Sequence, residues 1–350
     1  MKSLNVLVVS DGLPGHLNQS RGLAHWLGTR FAVETQELEV RLRMRAMARR
    51  ILPLVVEVAP AMATLRSFYQ LPALAGAAPD VIVSAGGNTS FANVLLARHF
   101  CVPNVFIGSR RRLAPGSFAA HLTLEPTGEA GNVVTPVAPS PVSPEAIAQS
   151  AAEFRARHGF ADGRLWLMAC GGTGAGKSYS ADDWSTLAHW MNDAAESHGI
   201  RWLLSTSRRT GASGEEALAA SLKADHLAYA VWWSRHPERI LGTLMGAAER
   251  LFVTVDSMSM VSECIGAQKP VAVVDVGDGA PEPLLAKALD RYARLGLCRR
   301  VSVADSLDAA PETLATADDL REESIDQLLE RLRLKPSAAR RPRRRNGASS

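Results

Sequence analysis

Cysteine is scarce in this chain. The four residues, Cys101, Cys170, Cys264 and Cys298, lie far apart and form no C-x-x-C pair. That spacing argues against a disulfide framework or a structural zinc site, and it predicts buried free thiols. No metal and no cofactor are expected. Long apolar runs are missing as well. The run from Ile51 to Val58 is short and is broken by Pro53 and Glu57, far below the ~18 residues of a membrane span. A strand pattern, Asn5–Ser10, begins almost at once and leaves no room for a leader, so a cytoplasmic location is expected. Aromatic-basic interleaving and zinc-finger spacing are absent, and no nucleic-acid partner is expected.

Net charge is small, at +4. Arg340, Arg341, Arg343, Arg344 and Arg345 crowd the final residues among Pro, Ser, Gly and Ala. Without them the body is nearly neutral. Residues 336–350 therefore read as a disordered basic tail.

What is present is alternation. Short β-branched runs at Val6–Ser10, Val33–Leu38, Val81–Ser84, Val105–Ile107, His121–Leu124 and Val133–Thr135 are separated by helical stretches at Gln19–Leu27, Arg41–Val58 and Ser90–Phe100. Pro136, Pro139, Pro141 and Pro144 mark a break. The alternation then restarts, with strands at Leu165–Ala169, Trp202–Ser205, Ala228–Trp232, Leu251–Val255 and Val271–Val274. Helices fall near Pro144–His158, Ala181–Ser197, Ser213–Lys223, Glu238–Arg250, Met258–Ala267, Pro283–Leu295 and Asp318–Leu334. The fold class is α/β, with two doubly wound Rossmann-like domains, 1–140 and 141–335. Ligands in such sheets sit beyond the carboxyl ends of strands, and an interdomain cleft is the expected site.

Gly171–Ser178 fits G-x-x-x-x-G-K-[ST], the phosphate loop of many NTPases. The pattern conflicts with its surroundings, however. The helical stripe Trp184, Leu187, Ala188, Met191 and Ala195 starts late, and Ser180–Asp183 has capping-box form. The helix then begins after the Lys-Ser pair. Gly171 and Gly172 would let the backbone approach a ligand, with Lys177 as a mobile cation. Asp256, Ser257, Ser259, Met260 and Glu263 follow a strand and open a helix, where amides and hydroxyls can hold a diphosphate or Ser257 can simply cap. Thr206, Ser207, Arg208 and Arg209 end another strand, and the paired guanidinium groups suit phosphate. In the first half, Asp11, Gly12, Gly15, His16, Asn18 and Gln19 follow the opening strand. Either Asp11 or His16 can take a proton from an acceptor hydroxyl. Gly86, Gly87 and Asn88 form a third polar loop.

In order, "SDGLPGHLNQSRGLA", "SAGGNTS", "TSRRT" and "VTVDSMSMVSE" resemble the family named after the plant mitochondrial fission factor of the "elongated mitochondria" phenotype, which has many bacterial members. That family looks like GT-B glycosyltransferases. The resemblance implies donor binding near Gly171, Gly172, Arg208, Arg209, Ser257, Ser259 and Glu263, and an acceptor side near Asp11, Gly15, His16 and Asn18. Two departures stand out: a longer glycine loop here, and Val255 where an acidic residue is common. The plant member is an adaptor that recruits a dynamin-like protein.

The expected function is metal-independent transfer from a nucleoside-diphosphate sugar to an envelope lipid or polysaccharide. The competing readings are a P-loop NTPase and a non-catalytic adaptor. "RLRMRAMARRILPLVVEV", from Arg41, joins five arginines to apolar residues. It predicts peripheral contact with an anionic membrane, or else a core helix with a basic outer face.

Overall fold

The computed structural model describes residues 2–74, 76–160, 163–277, 279–304 and 317–336, with no side-chain detail at 317–320. The basic-tail expectation lies outside these residues except at Pro336. Two compact units emerge: residues 1–134 with 324 onward, and residues 135–323. Each is taken by itself.

In the first unit the chain runs β1 (Ser3–Ser10), α1 (Pro14–Gly28), β2 (Ala32–Glu39), β3 (Arg41–Leu42), α2 (Arg45–Val55), α3 (Ala61–Phe68), β4 (Tyr69–Gln70), β5 (Val81–Ala85), α4 (Ser90–Phe100), β6 (Asn104–Ile107), β7 (Ala120–Thr123) and β8 (Asn132–Val134). The main sheet has the order β2-β1-β5-β6-β7-β8, and every pairing is parallel. Strands β5 and β6 are buried throughout, as helices on both faces of a parallel sheet require. The strand order reverses between β1 and β5, so this is the unit's switch point.

Several boundaries differ from the sequence expectation. Helix α1 begins at Pro14, not Gln19. Proline has no amide proton to lose there and its φ is already helical. The expected helix Arg41–Val58 is split. Arg41–Leu42 pair with Tyr69–Gln70 as a small antiparallel ribbon, and Met44 takes a left-handed backbone before α2. Helix α3 and strand β4 were not anticipated.

In the second unit follow α5 (Pro144–Arg157), β9 (Leu165–Ala169), α6 (Ala181–His198), β10 (Arg201–Ser205), α7 (Gly211–Ser221), β11 (Leu227–Val231), α8 (Leu241–Ala247), β12 (Arg250–Thr254), α9 (Met258–Gly266), β13 (Val271–Asp275), α10 (Pro283–Arg294), β14 (Arg299–Ser302) and α11 (Ala317–Leu332), the last of which extends across the division at 323/324. The sheet order β11-β10-β9-β12-β13-β14 is that of a dinucleotide-binding Rossmann fold, with its switch point between β9 and β12. Its core is aromatic. Trp166, Trp202 and Phe252 are fully buried, with ring centroids 5.2–5.8 Å apart. Each such ring hides 150–250 Å², roughly.

The expected helix Glu238–Arg250 shrinks to α8. Glu249 already donates its amide to Leu165 O, and Arg250 opens β12. Strand β14 escaped notice because it is short and begins with two exposed arginines. Three of the cysteines are buried, as expected. Cys101 is exposed, because it ends α4 in a left-handed turn outside the core.

Candidate functional site

The polar loops gather at the carboxyl edge of each sheet. In the second unit the buried Asp256, just after β12, organises them. Its side chain is 0% exposed. Oδ2 accepts from the Gly172 amide at 2.9 Å and pairs with Arg209 Nη2 at 2.8 Å, while Oδ1 accepts from the Tyr179 hydroxyl at 2.9 Å. One carboxylate thus ties together the loops after β9, β10 and β12. Burial, followed by the charge of Asp256, pushes the Tyr179 phenol up, so it remains a donor. Tyr179 also stacks on Trp184 at 4.7 Å between centroids.

This arrangement reassigns several expected donor-site residues. The amides of Gly171 and Gly172 do not face a ligand. They donate to Thr254 Oγ1 (2.7 Å) and Asp256. Both glycines are needed because neighbours come so close. A Cβ on Gly171 would stand 2.0 Å from Asp256 Oδ2, and one on Gly172, at φ +148°, would stand 2.1 Å from Arg209 O. Thr206 is buried between Glu215 Oε1 and Val231 O. Ser207 donates to Gly171 O at 2.6 Å. Arg209 is held by Asp256, whereas Arg208 is exposed and has no ion pair among the described residues.

Lys177 is the clearest correction. It is buried, and Nζ reaches Asp275 Oδ1 (2.9 Å), Gly277 O (2.7 Å) and Gly279 O (2.9 Å). An ammonium has three protons, and all three are used, so it is not a mobile cation. The helix after it starts at Ala181, capped by Ser180 in a complete capping box with Asp183. No helix amide therefore faces the Gly-Lys-Ser run, and the NTPase reading loses both of its phosphate-binding elements.

At α9 the outcome is different. Ser257 is its N-cap, but its hydroxyl does not cap and instead lies 3.4 Å from Ser259 Oγ. The amides of Met258, Ser259 and Met260 find no acceptor among the described residues. Met260 and Glu263 are half-buried on the same helix.

In the first unit Asp11 follows β1 and His16 lies in the first turn of α1. His16 Nδ1 is 3.0 Å from Asp11 Oδ1 and 3.2 Å from Oδ2. Burial raises the Asp11 carboxyl. The His16 hydrogen bond and charge, the Leu13 amide and Asn88 outweigh it and hold the group below its ordinary value. Asp11 is therefore a carboxylate that orients the imidazole. With Nδ1–H turned to it, the lone pair of neutral His16 is on Nε2. Asn88 joins them, with Nδ2 at 3.4 Å from Asp11 Oδ2. Gly86, at φ +85°, lies under the His16 ring, and a Cβ there would be 2.2 Å from Nδ1. Gly12, also left-handed, makes the turn next to Glu39. Gly15, Asn18 and Gln19 are half-buried on α1.

Sequence reasoning missed Arg111, in the loop after β6. Its Nε would be 2.2 Å from a Cβ on Gly87. The clue was available: "SRRR" follows a strand here as "SRRT" does after β10. Arg49 was noticed only as one of a basic run, yet its Nη2 bonds Asn88 Oδ1 at 3.0 Å.

A family model described as mitochondrial fission ELM1 matches residues 14–323. The chain belongs to this family. No curated protein matches it. Among solved structures the ELM1-family chain is similar to the UDP-GlcNAc 2-epimerase of Methanocaldococcus jannaschii, with 12% identity, TM-score 0.53, and 94% of this chain and 99% of that chain covered. It also aligns with the Escherichia coli ADP-heptose LPS heptosyltransferase II, with 13% identity, TM-score 0.46, and 95% and 98% covered. The first likeness shows the fold, two doubly wound units of the GT-B class, and nothing finer. The ELM1 match agrees with the resemblance carried by the four loops.

Asp256 should behave as a structural anchor. Asp256→Ala strands Arg209 and the Tyr179 hydroxyl and is expected to cost about 3 kcal/mol. Tyr179→Phe, which removes one neutral donor, costs about 1 kcal/mol. Urea unfolding checks both, and an unchanged midpoint in Asp256→Ala would contradict the role.

Proposed function

We propose that the chain is a glycosyltransferase that moves a sugar from a nucleoside-diphosphate sugar to an envelope lipid or polysaccharide, without a metal or cofactor. The observation that carries this reading is the first turn of α9. At the Rossmann switch point of the second unit, three consecutive amides stand without acceptors among the described residues, beside two serine hydroxyls. A helix start of this kind stabilises a diphosphate through its partial positive charge. Arg208, one residue from the tethered Arg209, supplies a mobile guanidinium for the charge that grows on the leaving diphosphate.

The first unit supplies the base. A neutral His16 with Nε2 available and Asp11 behind it removes the proton from an acceptor hydroxyl, and Asp11 stabilises the imidazolium that forms. Asp11, kept ionised, has too little proton affinity to do this itself.

What supports acceptor access at the inner face of the cytoplasmic membrane is the surface of α2 and its flanks. Ala48, Leu52 and Val56 face the core. Met44, Met47, Ile51, Leu54 and Val58 form a second apolar stripe that is exposed, with Leu54 and Val58 each at 78%. Arg45, Arg49 and Arg50 flank it. Apolar side chains edged by guanidinium groups suit an anionic bilayer surface. Among the described residues no helix is long and apolar enough to cross a membrane.

Thermal shift against UDP-, GDP-, CMP- and ADP-sugars, with ATP for comparison, tests the donor site. One sugar nucleotide should raise the melting midpoint, since ligand at ~100 times Kd adds about 2.7 kcal/mol. His16→Ala should keep that shift and slow transfer or donor hydrolysis by about 10²–10⁴-fold. A chain that answers to none of the donors is no transferase, and the adaptor reading takes its place. In liposome pelleting, wild type should follow anionic lipid, and a Leu54→Asp, Val58→Asp double variant should stay in the supernatant. Equal pelleting with neutral vesicles would remove the membrane contact.

A further inference from the structure

The three residues Gly86-Gly87-Asn88, after β5 at the first unit's switch point, are bordered by an unusual set of side chains. His16 lies against Gly86 and Arg111 against Gly87, each so close that a Cβ would stand 2.2 Å from its ring or guanidinium nitrogen. Arg49 reaches Asn88 Oδ1 at 3.0 Å. The loop itself is fixed. The Tyr69 hydroxyl donates to Asn88 O at 2.7 Å, and Asn88 donates on to Asp11.

Arg49 and Arg111 differ from the ion-paired arginines of this unit in having their forks open beside the loop. Arg21, Arg41 and Arg110 pair with Glu37, Glu39 and Glu129. Neither Arg49 nor Arg111 has a carboxylate partner among the described residues, and both are exposed. Arg111 also holds a left-handed backbone, φ +61°, which is costly for a residue with a side chain and persists only where surroundings enforce it. Asp11, the carboxylate bonded to the loop, is already engaged by His16 and Asn88, and Glu39, beside Gly12, by Arg41. Two guanidinium groups without a carboxylate partner among the described residues therefore border the loop next to His16.

Planar guanidinium forks match a phosphate with two parallel hydrogen bonds, and the glycines let His16 and Arg111 lie directly against the loop backbone. We propose that this loop binds a phosphate group of the acceptor, so that the acceptor is a phosphorylated sugar or lipid whose reacting hydroxyl is presented to His16. This rests on the transferase reading for the identity of the ligand as acceptor. The anion site itself does not.

The test is calorimetric titration of the full chain with hexyl phosphate, with hexanol as the uncharged control and inorganic phosphate as a third arm. Wild type should bind hexyl phosphate and ignore hexanol. Arg111→Ala and Arg49→Ala should each weaken binding at least about tenfold, the Lys variants less, while Arg294→Ala, an exposed arginine at the end of α10, leaves it within about twofold. Circular dichroism confirms that the variants are folded. Inorganic phosphate that binds as tightly as hexyl phosphate assigns the site to the anion alone. A preference for hexyl phosphate assigns it to a lipid-linked one. Either upholds the site. Binding of hexanol equal to hexyl phosphate, no binding at all, or a double variant that binds like wild type overturns it. Both variants should keep the sugar-nucleotide thermal shift. If that shift is absent in wild type while hexyl phosphate still binds, the transferase reading fails and the anion site stands.

Discussion

The second unit depends on a buried carboxylate. Asp256 takes the Gly172 amide, the Tyr179 hydroxyl and the Arg209 guanidinium, so three loops from three strands converge on one ion. A charge out of water is tolerable only when paired and fully hydrogen-bonded, and here it is both. The glycines that look built for a ligand are there so that Asp256 and the Arg209 backbone can come close. Lys177 does the corresponding work for the loop after β13, joining it to the glycine-rich turn. With these groups committed to holding the loops, the proposed donor site narrows to the amides and serines that open α9 and to Arg208.

The two units use the same place in the sheet for opposite ends. At the first switch point Asp11 is linked to the His16 imidazole. At the second, Asp256 is linked to the Arg209 guanidinium. The first arrangement is suited to proton transfer and the second to rigidity.

How much of this was readable beforehand follows from what each signal depends on. The Ser180–Asp183 capping box is local, and it located the start of α6 correctly against the competing NTPase pattern. Strands such as Leu165–Ala169 were legible because buried parallel strands are continuous apolar runs. Asp11 and His16, five residues apart across a turn, were legible as alternatives for one role, but their hydrogen bond to each other was not. The partners of Lys177 are about a hundred residues away, and no local pattern announces them. Arg208 and Arg209 were equivalent in the sequence. Only the tertiary position of Asp256 separates the tethered one from the open one. Helix α2 was misjudged in extent because Arg41–Leu42 form a ribbon with residues nearly thirty positions on. Its exposed apolar stripe required knowing which of two apolar faces the core had taken.

The most direct measurement is hydrogen exchange of the full chain with and without a saturating nucleoside diphosphate. The account predicts slowed exchange at the amides of Met258, Ser259 and Met260, with the amides of Gly171 and Gly172, already bonded inside the protein, slow in both states. Protection confined to the 173–178 turn, or no protection at the start of α9, would contradict it.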